Sequence, residues 1–224
     1  DQPPGTIGGD STSRLIKDAY EDEAVKAIVL RVDSGGGGVF ASEVIRQELL
    51  KAQEKGIKVI ASMGNVAASG GYWIAAAADE IWAMPTTITG SIGAFAVFPT
   101  IGGVFDYVGA TVDGVGTTAM AGSFDPSRGL DKNSERIFQA VINGVYNDFL
   151  SLVSVSRDMT LAEVNALAGG KVWIGRDAKE IGLVDQLGGL DDAISSAAAL
   201  AQLDAYETNV SACPLRLSSS YSRR

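Results

Sequence analysis

An α/β fold with a mostly parallel, covered sheet is predicted by three features of this sequence. Short apolar runs alternate with amphipathic segments of helical period, and each switch is marked by glycine or another turn residue. A length of 224 residues with 46% hydrophobic content is also enough to bury one substantial core.

Ser11 is expected to cap a short helix whose apolar positions Leu15, Ile16 and Ala19 recur at helical spacing. Ala27, Ile28, Val29, Leu30 and Val32 then read as a buried strand, ended by the glycine run Gly35 to Gly38. Ser42, followed by Val44, Ile45, Leu49 and Leu50 with charges between, reads as an amphipathic helix to Lys55, stopped by Gly56. Val59 to Met63 is the next strand. A small-residue segment through Ser69, Gly70 and Gly71 opens an alanine-rich helix, and Ile81 to Ala83 is a short strand before Pro85.

Beyond Thr89 to Val97, which is apolar and punctuated by glycine, Ile101 to Val108 reads as helical and Thr111 to Val115 as a short strand. Asn133 to Arg157 is the longest helical stretch, with Ile137, Phe138, Val141, Val145, Phe149, Leu152 and Val153 on one side. Its apolar face suits packing or a subunit contact. Thr160 with Glu163 makes a capping box, Val172 to Ile174 is apolar, a short helix starts at Arg176, and a last helix runs from Leu190 to about Leu200.

The bounds that follow are an N-terminal loop over 1–9, one α/β domain over 10–203 and a tail over 204–224. Ser218 to Arg224 is polar without an apolar period, so disorder is expected there. The chain opens on Pro3, Pro4, Gly5, Gly8 and Gly9 and goes straight into a helix, without the strand a βα arrangement should place first. A piece of a longer polypeptide is therefore the expectation.

Composition excludes several chemistries. Lys plus Arg total 18 against 27 Asp plus Glu, and a net charge of −9 disfavours nucleic acid, which needs a basic stripe. No apolar run approaches the roughly 18–20 residues of a membrane span, so the chain itself is expected to be soluble. The absence of histidine removes Ser-His-Asp and Cys-His catalysis and the commonest zinc ligand, and no metal is expected. The single cysteine, Cys213, can form no internal disulfide. For a hydrolase there remain serine with lysine, threonine with an amine, or paired carboxylates.

Ala67-Ala68-Ser69-Gly70-Gly71-Tyr72 lies between a predicted strand and helix, where a serine can present its hydroxyl to unpaired helix N–H groups. Taken alone, Ser69 reads as an ordinary helix cap. A second glycine turn, Asp33-Ser34-Gly35-Gly36-Gly37-Gly38, ends the preceding strand. If the two strands are parallel neighbours, both turns emerge at one carboxyl edge, one with a nucleophile and the other with a backbone N–H for its oxyanion. A phosphate-cradling loop ranks low, since neither glycine signature of such loops is complete. A third segment, Thr89-Gly90-Ser91-Ile92-Gly93, sets a hydroxyl between glycines.

In this order and spacing the three segments resemble signal peptide peptidase A. The later Val172-Trp173-Ile174-Gly175, Ala178 and Gly182-Leu183-Val184-Asp185 extend the resemblance over nearly the whole chain from Gly8 to Ala201. It implies the Clp protease/crotonase-like fold, a spiral of ββα units. It also implies Ser69 as nucleophile, the N–H groups of Gly37 and Gly70 as oxyanion hole, and Ser91 as the hydroxyl that orients a lysine base. Gly35 stands where the family usually has proline, which loosens φ without removing a donor.

Single-domain relatives carry the lysine in a region matching Thr117 to Ser127, and this sequence has none there. Such a base needs a pKa some three units below about 10.4, hence an apolar pocket. Lys17, Lys51, Lys55 and Lys179 sit on polar helix faces, Lys26 and Lys58 flank strands, and Lys132 and Lys171 lie in polar connections, so all read as solvated charges. Larger family members divide the dyad between two homologous halves, and this chain resembles the second, serine-bearing half.

The expected activity is thus a serine endopeptidase with a Ser/Lys dyad, without a cofactor, acting on remnant signal peptides or similar extended apolar peptides. Gly36, Tyr72, Ile92, Gly93 and Phe95 are the expected substrate contacts, and Val97 adds to their apolar surround. The resemblance implies a lysine-bearing N-terminal half as partner and a ring-shaped homo-oligomer. It also implies the periplasmic face of a bacterial inner membrane, anchored by a segment outside this chain. Two rivals stand beside it, a catalytically silent scaffold and a crotonase-like acyl-CoA enzyme; the latter would want a carboxylate beside the turns, and Ser69-Gly70-Gly71 offers none.

Overall fold

The computed structural model describes residues 6–118 and 120–211. Residues 218–224 and Cys213 lie outside them. The chain divides into two compact units, one running through Ile92 and resuming at Leu150, the other comprising Gly93–Phe149.

The larger unit is organised by one long strand. After α1 (Gly9–Glu21), β1 (Ala27–Ser34) and α2 (Val39–Glu54) comes β2 (Lys58–Ala68), an apolar run with burial along most of its length. On one edge β2 pairs in parallel with β1, from Ala27 opposite Lys58 to Ser34 opposite Ala67, with an irregularity after Val32. Its other edge is shared: β3 (Glu80–Ala83) pairs beside Ile60–Ser62, and β4 (Ile88–Gly90) pairs beside Val66–Ala68, both parallel. Between β2 and β3 lies the short helix α3 (Gly70–Ala75).

Successive residues of β2 face opposite sides, and each side is covered. Val59 packs with Ile16 and Tyr20 of α1, Ile45, Leu49 and Ala52 of α2 and Ile74 of α3. Its neighbour Ile60 packs against Ala193 and Ala197 of α8 (Leu190–Leu200). Small alanines let that helix lie close to the sheet, which accounts for the near-continuous apolar character of β1 and β2. Truncating the fully buried Leu49 to alanine is expected to cost about 2–5 kcal/mol.

The remaining elements are α4 (Gly102–Tyr107), α5 (Lys132–Arg157), α6 (Leu161–Leu167), β5 (Val172–Ile174), α7 (Gly175–Glu180) and β6 (Gln186–Leu187). Strand β5 pairs antiparallel with β4, while β6 adds parallel to β3. The capping box of α6 forms as expected: the Thr160 hydroxyl accepts from Glu163 N–H and the Glu163 carboxylate accepts from Thr160 N–H.

Four local expectations are corrected. Ser11 does not cap α1; the N-cap is Gly8, and the Ser11 hydroxyl instead donates to the Gly8 carbonyl at 3.2 Å. Helix α2 starts at Val39 and not at Ser42, whose hydroxyl donates to Gly38 O at 3.2 Å. Thr111 to Val115 forms no strand, having no partner strand among the described residues to satisfy its backbone. Lys132 opens α5 and is not part of a connection, with Asp131 accepting from Ser134 N–H at 2.7 Å. Within the smaller unit, Ile137 and Val141 of α5 stay 43% and 60% exposed, and of the apolar stripe read along this helix only Phe149 and Val153 are buried.

Candidate active site

Ser69 is the single residue between β2 and α3. It holds φ 52° and ψ −119°, a conformation that costs a non-glycine residue about 1–3 kcal/mol and persists only where neighbours over-determine it. Those neighbours are visible. Ser69 N–H donates to Gly90 O at 2.9 Å, tying it to the end of β4, and Ser69 O accepts from Trp73 N–H at 2.9 Å within α3. Although Ser69 occupies the N-cap position, its hydroxyl makes no capping bond. The ordinary helix-cap reading therefore fails, and the strand-to-helix turn presents a half-buried hydroxyl in the manner of a nucleophile elbow.

The glycine turn between β1 and α2 closes over this residue. Gly36 has φ +108°, and a Cβ there would fall 2.7 Å from Ser69 Cβ and 2.8 Å from Gly70 N. A Cβ on Gly70 would meet Ser42 Oγ at 2.5 Å and Gly37 N at 3.0 Å, and one on Gly71 would meet Ser34 O at 2.7 Å. Glycine is thus required on both turns because two backbones touch. The contact brings the N–H groups of Gly37 and Gly70 together. Gly70 opens α3, where an amide has no intrahelical acceptor, and Gly37 N–H makes no backbone bond among the described residues. An oxyanion hole would require two such donors close to a serine.

Ser91 follows Gly90, whose carbonyl holds Ser69. It too has positive φ, 49°, and its N–H donates to Lys171 O at 2.8 Å. The strand beneath is anchored from inside: the buried Thr89 hydroxyl donates to Ala67 O and the Thr87 hydroxyl to Gly64 O, each at 2.7 Å. Ser69 and Ser91 thus leave neighbouring parallel strands, Ala68 standing opposite Gly90. Ser42, which fills the space beside Gly70, was legible in the sequence only as a helix start; its place at the site depends on the approach of two helix starts.

No lysine is buried. Lys171 comes nearest Ser91 through its carbonyl, but its ammonium is exposed and donates to Ala166 O at 2.8 Å. Lys51 pairs with Glu48 at 3.0 Å, Lys58 with Asp79 at 3.1 Å, and Lys17 with Glu21 at 3.7 Å. Each of these ammonium groups has a polar partner, and none lies in the apolar pocket expected of a lysine base.

Two expected substrate contacts are corrected. Tyr72 is wholly buried, its hydroxyl donating to Leu183 O at 2.8 Å, and burial pushes its pKa well up. One helical turn after Ser69 its side chain points into the protein. Ile92 is equally buried and its carbonyl accepts from Gly170 N–H at 2.9 Å, so its side chain lines no open groove. Gly93 and Phe95 belong to the smaller unit, where Phe95 is 88% exposed. The segment that holds Tyr72 is itself braced: Arg157 makes a two-pronged pair with Asp185 and donates through Nε to Gly182 O at 2.9 Å, while Asp185 accepts from Ile81 N–H at 2.8 Å.

The fold places the chain among the Clp-like α/β proteins. A ClpP1 mutant of Listeria monocytogenes superposes with a TM-score of 0.56 at 14% identity, covering 83% of this chain and 86% of that one. Residues 51–204 match the model of peptidase family S49, and the chain belongs to that family. Protease 4 of Salmonella typhi is 46% identical over 203 residues, 91% of this chain and 33% of that protein. Serine protease SPPA, chloroplastic, of Arabidopsis thaliana is 34% identical over 197 residues, 87% of this chain and 29% of that protein. The chain thus spans about a third of the length of these relatives.

Proposed function

We propose that this chain supplies the nucleophile of a Ser/Lys peptidase, with Ser69 attacking the scissile carbonyl and the base arriving from a lysine-bearing segment outside it. The observation that carries the reading is the contact of Ser69 and Gly70 with the Gly36–Gly37 turn, which leaves two N–H donors beside an uncapped hydroxyl. A neutral lysine amine, oriented by Ser91, takes the Ser69 proton as the tetrahedral intermediate forms. The N–H groups of Gly37 and Gly70 take up its oxyanion, each donor being worth about 10²–10³ in rate. Collapse releases the amine product, protonated by the lysine, and leaves an acyl-enzyme that water hydrolyses by the same steps.

The peptidase-like domain of this reading is 10–203, and Gly36 borders the bound peptide. Membership of family S49 and the family resemblance support remnant signal peptides or similar extended apolar segments as substrates. They also support a lysine-bearing partner half, ring assembly and a site facing the periplasm of a bacterial inner membrane. Among the described residues no helix is long and apolar enough to cross a membrane, so an anchor lies elsewhere in this reading.

The absence of a buried lysine favours one competing reading, a scaffold that has lost catalysis. A serine-directed fluorophosphonate separates the two. With the lysine-bearing segment present, label appears on Ser69 and vanishes in Ser69→Ala. No label on Ser69 even with that segment present means the scaffold.

A further inference from the structure

The two helices that begin at the oxyanion turns are joined by a side-chain bond one turn inside each. Glu43 lies just past the first turn of α2 and Trp73 at the end of the first turn of α3, and Trp73 Nε1 donates to Glu43 Oε2 at 2.7 Å. The carboxylate is not free to swing away. Arg46 grips both oxygens, Nε to Oε2 at 2.8 Å and Nη2 to Oε1 at 2.7 Å, and Gln47 Nε2 donates to Oε1 at 2.6 Å. A guanidinium fork of this kind fixes the orientation of its carboxylate plane. The indole at the other end is almost wholly buried, so its position follows that of α3. One residue before Glu43, Ser42 Oγ occupies the space that a Cβ on Gly70 would need.

We propose that Glu43 is a positioning residue, its bond to Trp73 holding the Gly37 and Gly70 N–H groups in register as one oxyanion-binding pair. This rests on the peptidase reading of the site. The physical need is geometric, since the two donors come from different strand–helix turns, and the β1–β2 ladder that joins those turns ends with Ser34 opposite Ala67, short of Gly37 and Gly70. Both must stand about 2.7–3.1 Å from the oxygen of the transition state, and a misplacement of about 1 Å can cost about 10²-fold in rate. Held by Arg46, then by Gln47 and Trp73 against the opposing effect of burial, the Glu43 carboxyl is kept down to about 2, so the acceptor is ionised near neutral pH.

Two measurements test this. In the active assembly, Glu43→Ala and Trp73→Phe should each lower kcat about tenfold or more with KM within about twofold, because the loss is felt in the transition state. Glu43→Gln, which keeps an acceptor for the indole, should recover most of kcat, and the Glu43→Ala/Trp73→Phe pair should be no slower than either single change. In the chain on its own, Glu43→Ala should shift or broaden the amide resonances of Gly37 and Gly70, and Glu43→Gln should restore them. Unchanged resonances and an unchanged kcat in Glu43→Ala would overturn the proposal. Full activity in Ser69→Ala would instead overturn the peptidase reading and leave the amide result standing.

Discussion

Gly36 and Ser69 stand so close that a methyl group on the first would lie 2.7 Å from the Cβ of the second. That single approach couples the turn after β1 to the turn after β2, and it makes a glycine at position 36 a condition of the site as much as of the backbone. Gly36→Ala meets both the contact and a φ of +108°. It should destabilise the chain by about 1–3 kcal/mol, read from the urea midpoint, and suppress fluorophosphonate labelling of Ser69 even where the protein stays folded. Normal labelling of a folded Gly36→Ala protein would contradict the proposed oxyanion geometry.

Gly35 behaves in the opposite way. A Cβ there meets nothing within 4 Å, and its φ is not positive. Gly35→Pro should therefore be tolerated and should raise stability by about 0.4–1 kcal/mol, by limiting the unfolded chain. A thermal melt decides it, and a lowered midpoint would mean that the turn needs the freedom of glycine at this position too.

The Arg157–Asp185 pair is two-pronged and largely covered, with side chains 11% and 30% exposed. Asp185→Asn weakens one side of a mostly desolvated pair and should cost about 3 kcal/mol. The change should appear as a lower denaturant midpoint with an unaltered slope.

Tyr72→Phe removes only the hydroxyl bond to Leu183 O. A loss of about 1–2 kcal/mol is expected, because the carbonyl is left buried and unpaired, while KM for a peptide substrate stays the same. A several-fold rise in KM would return Tyr72 to the substrate groove, against its complete burial.

Acid should weaken the strut between α2 and α3. The folded Glu43 carboxyl is held down to about 2 from an ordinary 4.5, by the Arg46 guanidinium first, with burial opposing and Gln47 and Trp73 assisting. A depressed carboxyl contributes stability that is fully present above the unfolded value and disappears as pH falls through the folded one. The contribution is therefore lost between about pH 4.5 and 2, and Glu43→Gln should flatten stability against pH in that window.

The sequence by itself determined the alternation of strands and helices, the two glycine turns and the candidate serine, because these depend on local matters. Apolar period sets the face a helix buries, glycine alone accepts the left-handed turn at Gly36, and Thr160 with Glu163 closes its capping box within one turn. Only the tertiary structure decided what those pieces do together. The positive φ of Ser69 comes from Gly90 and Gly36, and the inward turn of Tyr72 from Leu183, which lies 111 residues along the chain. The antiparallel addition of β5 to β4 likewise follows no local pattern. Side-chain direction after a tight turn, and the approach of two backbones, are set by contacts between segments distant in sequence, and no period or propensity records them.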